Sequence, residues 1–285
     1  MGKTFVALAV ATSVALEDRT GPVVVMVPPS LKHKWPTDFE LFRERCLPAG
    51  PGRRLRVACA QRAVEFLKLL DDPPEKRRHI IFVTHGALSH GLHDRWAMLA
   101  LIRQALWKRH NVGRLRRALS RQMAELLGMH WLQRQPESFW LALLETPPNA
   151  WLDLLHLDGV DPENDDDPTT DDDPVPEAVS CALGQLDTQA LFEALHSVPR
   201  KRSEHYQKRL RACRALLKRE LRKLWKQVAQ RWSFTLPLLI LDEAHHLKNA
   251  QTRLASLFFA PARRRRTPMR SRTARWQGCS SACCS

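Results

Sequence analysis

The residues best suited to chemistry sit in the segment LLILDEAHHLKN, where Asp242 and Glu243 follow directly on an apolar run. A buried strand that ends in two adjacent acids presents both at the carboxyl edge of a parallel sheet, the edge at which open α/β folds bind ligands. Hydrolysis of a magnesium nucleotide needs such a pair: one carboxylate holds the metal, usually through water, and the next orients or deprotonates the attacking water. A strand end followed by an ordinary capped helix would also leave two acids there, but four aliphatics running into DEAH form a far rarer string. The neighbouring His245 and His246 make a poor metal pair, because adjacent side chains on a helix diverge whereas zinc-binding pairs stand four apart.

A nucleotide site also needs a phosphate cradle, and Gly2, Lys3 and Thr4 match the last part of the pattern G-x-x-x-x-G-K-[ST]. In that pattern backbone amides surround the phosphates, lysine reaches the β and γ groups, and the hydroxyl binds magnesium. Three residues alone are a weak signal. Their position strengthens it, since the triplet opens an apolar helical segment that leads into a strand of the same domain.

The elements that must hold these residues follow from periodicity. The runs VVVMV (23–27), LRVAC (55–59), HIIFVT (79–84) and PLLIL (237–241) lack polar alternation, as do strands covered on both faces. Helical spacing in KTFVALAVATSVALED, SLKHKWPTDFELFRE and QRAVEFLKLLDD separates the first three. Strands alternating with helices predict an α/β domain built on a doubly wound sheet.

Between the third and fourth strands the pattern changes. Segments near 93–110, 113–128, 137–145, 188–197 and 202–232 have helical spacing, so residues 91–232 read as an all-helical insertion into the sheet domain. Nine acids lie between Asp158 and Asp173, with several prolines, and such a stretch buries too little apolar surface to order itself. We therefore expect a disordered acidic loop over about 158–177. The twelve lysines and arginines from Arg200 to Lys226 surround their helix in this reading rather than forming one stripe.

Charge and cysteine content narrow the setting. The net charge of +15 suggests a polyanionic partner such as nucleic acid. Half of that excess is local, because residues 263–285 hold seven arginines and no acid, leaving 38 basic against 30 acidic side chains elsewhere. Seven cysteines without zinc spacing or a disulfide framework fit a reducing cytoplasm. No run approaches the roughly 20 apolar residues of a membrane span.

Taken in order, GKTFVALAVA, VVVMVPPSLKHKWPTDFELF, HIIFVTHGALS and LLILDEAHHLKNAQTRLASLF resemble motifs I, Ia, Ib and II of superfamily 2 helicases, most closely the Swi/Snf-type translocases of double-stranded DNA. The matched pieces cover residues 2–90 and 233–259. The resemblance implies an incomplete RecA-like P-loop NTPase sheet (1–90 and 233–260) interrupted by the helical insertion, with a basic tail (261–285) that reads as out of frame. It implies ATP and magnesium as cofactors, with Lys3 on the β and γ phosphates, Thr4 and Asp242 on magnesium, and Glu243 activating water. Pro28, Pro29, Ser30, Thr84 and His85 would lie along the backbone of double-stranded DNA, or of RNA, and His245 would couple nucleotide state to the lobe interface.

The same family requires a full glycine-rich loop, a Ser/Thr-Ala-Thr motif III and a second lobe, none of which the sequence supplies. Two central strands beside PLLIL are then missing, so the sheet is expected to be marginally stable and ATP turnover negligible. The alternative from another class is a non-catalytic basic protein whose helical insertion binds nucleic acid or a protein.

Overall fold

The computed structural model describes residues 2–18, 20–107, 109–157, 173–198, 205–231 and 236–244. The expected basic tail, His245 and residues 158–172 of the expected acidic loop lie outside them. The chain divides into two compact units, one of residues 1–90 with 231–285 and the other of residues 91–230.

The first unit is mixed α/β. Helix α1 (Gly2–Glu17) leads to β1 (Val23–Val27), α2 (Lys34–Cys46), β2 (Val57–Ala60), α3 (Ala63–Asp71), β3 (Ile80–Thr84) and α4 (His85–His90), and β4 (Leu239–Leu241) closes the set. The strands form one parallel sheet in the order β2-β3-β1-β4. Every residue of β1 and β3 is buried, as an uninterrupted β-branched and aliphatic run requires once helices cover the sheet. On one face Leu8, Ala11 and Ala15 of α1 and Trp35, Phe39 and Phe42 of α2 pack with Val23, Val25, Ile80 and Phe82. Pro36 is tolerated inside α2 because it falls in the first turn, where the missing amide has no intrahelical partner.

Strand β4 is less protected. It pairs with β1 alone, its three residues are only half-buried, and no further strand adjoins it among the described residues. Helix α1 buries one face and leaves Val6 and Val10 exposed, although its sequence is apolar nearly all round.

The second unit is all helical: α5 (Arg95–Leu106), α6 (Gly113–Ser120), α7 (Met123–Leu127), α8 (Glu137–Glu145), α9 (Trp151–Leu157), α10 (Glu177–Leu183), α11 (Gln189–His196) and α12 (Tyr206–Arg231). Three features depart from the sequence reading. The helix expected over 113–128 is two helices, broken where the Ser120 hydroxyl bonds back to the Arg117 carbonyl at 2.9 Å, a contact that bends helices. Helix α9 had no counterpart in that reading. The acidic loop ends earlier than expected, because Val175 is buried and Glu177 opens α10, whose Val179, Ala182 and Leu183 join the core.

Candidate functional site

In a parallel sheet all strands end on one edge, and here the register fixes which residues meet there. Ala60 pairs with Val83, Val27 with Thr84, and Met26 with Leu241. The next residues therefore form a row, Gln61, Thr84, Val27 and Asp242, with neighbouring strands about 4.8 Å apart and the ends of the row roughly 14 Å apart. The amide of Asp242 continues the ladder by donating to the Met26 carbonyl at 2.9 Å.

Both oxygens of Asp242 are engaged. Its Oδ2 accepts from the indole Nε1 of Trp35 at 3.0 Å and its Oδ1 from the backbone amide of Glu243 at 3.0 Å. Trp35 is itself buried in the first turn of α2, its ring 6.3 Å from that of Phe82. The carboxylate is thus fixed by the sheet on one side and by the α2 core on the other. Beyond it the chain turns sharply: Glu243 is exposed and adopts φ 53°, the left-handed region that ordinary side chains seldom enter.

A hydrogen bond to a carboxylate is worth about 1.5–3 kcal/mol, so the Trp35 contact is a substantial part of what secures β4. The Trp35→Phe variant keeps an aromatic ring and loses the donor, and is expected to lower stability by about 1–3 kcal/mol in urea unfolding. A double-mutant cycle with Asp242→Ala should give a coupling energy above about 0.5 kcal/mol. Additive single effects would mean that the bond contributes nothing.

The central part of the edge carries a cleft of about 230 Å³, lined among others by Lys32, His33, Thr37, Cys59, Gln61 and Thr84. Two of these residues are joined, Lys32 donating from Nζ to Gln61 Oε1 at 2.8 Å. Thr84 is 6 % exposed, and its hydroxyl serves the fold by accepting from the Ala87 amide at 3.2 Å and donating to the Gln61 carbonyl at 3.4 Å. His85 is half-buried at the start of α4. Pro28 precedes a short 3₁₀ turn over Pro29–Leu31, with Pro29 and Ser30 exposed. Of the expected nucleic-acid contacts, then, these two offer surface while Thr84 is used internally.

Gly2 and Lys3 are exposed and Thr4 half-buried on the first turn of α1. The ring of Phe5 packs edge-on against Phe42, 5.9 Å between centroids. Phe42 lies seven residues beyond Trp35, roughly 10 Å along α2 at 1.5 Å per residue. The glycine-lysine-threonine turn therefore begins beside the second half of α2, whereas Asp242 is held at that helix's start.

Sequence reasoning assigned no role to Trp35, Lys32 or Gln61. A polar residue placed directly after a buried strand was the available signal for Gln61, since that position opens on the carboxyl edge. Comparison of the chain with protein-family models, with curated proteins and with solved structures gave no match.

Proposed function

We propose that the sheet-containing unit is the ATP-binding part of the first RecA-like lobe of a Swi/Snf-type, ATP-dependent translocase that acts on double-stranded DNA in the cytoplasm. The observation that carries this reading is the rigid presentation of Asp242 at the carboxyl end of a strand beside β1, with Glu243 next to it in a turn. The order of motifs in the sequence supplies the family. The four cysteines among the described residues are free, in keeping with a reducing compartment. No described helix is long and apolar enough to cross a membrane.

The residues suit a hydrated magnesium ion. Magnesium keeps several waters and takes one or two carboxylates plus the nucleotide's phosphates, so it needs no cage of protein ligands. Among the described residues no group of three or more His, Cys, Asp or Glu side chains is placed to form such a cage. Each Asp242 oxygen accepts one hydrogen bond and retains a lone pair for metal-bound water. In this role the ion would neutralise charge on the phosphates. Glu243, exposed in its turn, would hold and deprotonate the attacking water, while Lys3, whose turn starts roughly 10 Å farther along α2 than the point that holds Asp242, would have to reach the β and γ groups with its extended side chain.

A titration of the 285-residue chain with a fluorescent ATP analogue and magnesium tests the reading. Saturable binding is expected, weakened at least about tenfold, or about 1.4 kcal/mol, by Lys3→Ala and by Asp242→Ala. Turnover by the 285-residue chain in the same assay is expected to stay at background. Absence of binding at millimolar nucleotide, or equal binding by both variants, would sink the assignment.

A further inference from the structure

Helix α12 has one acid and one buried stripe. Tyr206, Leu210, Cys213, Leu217, Leu221, Leu224 and Val228 are buried at the spacing of a single helical face. At about 100° per residue, Lys208, Arg211, Lys218, Arg219, Arg222 and Lys226 fall within an arc of roughly 100° on the opposite side, and all six are exposed. Six of the nine basic residues from Lys208 to Lys226 thus share one side, and Arg209, Arg214 and Lys223 flank it, so that basic residues border every face of the helix but the buried one, as the sequence reading has it. The arc is about 27 Å long, from Lys208 to Lys226, at 1.5 Å per residue.

Its composition separates it from an ordinary solvated face. Long surface helices usually relieve their charge by alternating acids and bases at i,i+4, whereas Lys218, Arg222 and Lys226 repeat one sign at that spacing. The helix's only acid, Glu220, is 2 % exposed and draws Lys223 (2.8 Å) and Arg219 (3.4 Å) toward itself. Arg214, off the arc, is spent on the fold by donating to the carbonyls of Glu125 and Leu126. Lys208, Arg211, Lys218 and Lys226 have no carboxylate partner among the described residues. Between the cations lie the exposed, small residues Ala212 and Ala215, which allow close approach of a partner's backbone.

We propose that this face of α12 binds the phosphate backbone of a nucleic-acid duplex without reading its sequence. Duplex is favoured over single strand because α12 offers no base-stacking platform, both of its aromatics, Tyr206 and Trp225, being buried. Lysines and arginines spaced along about 27 Å of one helix match a row of phosphates, the contacts that position a protein on a duplex without carrying sequence information. The inference is independent of the nucleotide reading, since its residues belong to the helical unit and its test uses no nucleotide.

The test is fluorescence anisotropy of the full chain with a labelled mixed-sequence duplex of about 25 base pairs over a range of salt. Substituting Arg211→Gln, Lys218→Gln, Arg222→Gln and Lys226→Gln together should cut the slope of log affinity against log salt by about 3 to 4, near 0.9 for each lost contact. A control with the same charge change elsewhere, Arg45→Gln, Arg54→Gln, Lys76→Gln and Arg134→Gln, should lower that slope by less than about 1. The pair Arg211→Lys and Arg222→Lys should bind like the parent, which separates lost charge from lost folding. An equal slope loss in the control, failure of the lysine pair to bind, or equal affinity for oligo-dT or for polyglutamate as competitor would each overturn the proposal. The last outcome would point to an acidic protein instead.

Discussion

Replacing Phe82 by alanine is expected to destabilise the sheet unit by about 3–5 kcal/mol, the usual cost of removing a buried phenylalanine. Phe82 is 2 % exposed in the middle of β3, which is hydrogen-bonded to β2 on one side and β1 on the other. Its ring is 6.3 Å from Trp35 and 6.2 Å from Phe39, so it anchors α2 to the sheet. A void there cannot be filled by the backbone of two paired strands, and the transfer and cavity terms therefore add. Domain stability is typically about 5–15 kcal/mol, so a loss of this size removes a large share of it.

The effect should reach the acidic pair. Trp35 packs on Phe82 with its ring and holds Asp242 with its indole N–H, so loosening the ring loosens the carboxylate. Urea unfolding gives the magnitude, and hydrogen exchange should show lost protection in residues 80–84 and in β4 together. Phe82→Leu, which retains most of the volume, should cost no more than about 1.5 kcal/mol. A loss below about 1 kcal/mol for the alanine variant would show that the site tolerates collapse and that Phe82 is not the link.

How far the fold could be read from sequence depended on how local its causes are. Strands β1 and β3 were legible because an unbroken run such as VVVMV suits a doubly covered position, which β1 occupies residue for residue, whereas β2 and β4 are shorter than their apolar runs and only partly buried at the edges of the sheet. The order of strands was not, since nothing in VACA or LIL says which neighbour each will take. The acids of the edge were legible as a pair. Their support was not, because Trp35 and Asp242 are 207 residues apart and only folding brings an indole to a carboxylate. In the helical unit, α8 was legible from its own apolar period, whereas α9 and α10 are single short pieces flanked by proline or turn residues and stabilised by tertiary burial. For α12 the charges were plain, but their arrangement required knowing which face is buried.

The second large effect is expected from Trp151→Ala in the helical unit. Trp151 is fully buried, its ring lies 6.0 Å from that of Trp96, and its Nε1 donates to the carbonyls of Leu143 (2.9 Å) and Thr146 (3.1 Å). Those carbonyls stand at the carboxyl end of α8, where helix acceptors lack intrahelical donors. Alanine therefore removes both a large apolar contact, worth about 3–5 kcal/mol, and the donor for two acceptors, at about 1–3 kcal/mol for each one left unsatisfied. Trp151→Phe should fall between, keeping much of the packing and losing the donor. Thermal unfolding measures the total. Hydrogen exchange then shows whether residues 137–155 open alone or together with 206–231: if α12 loses protection in step, its basic face depends on the same cooperative core, and duplex affinity should fall with it. Retention of full protection in residues 137–155 of the alanine variant would refute the role given to Trp151.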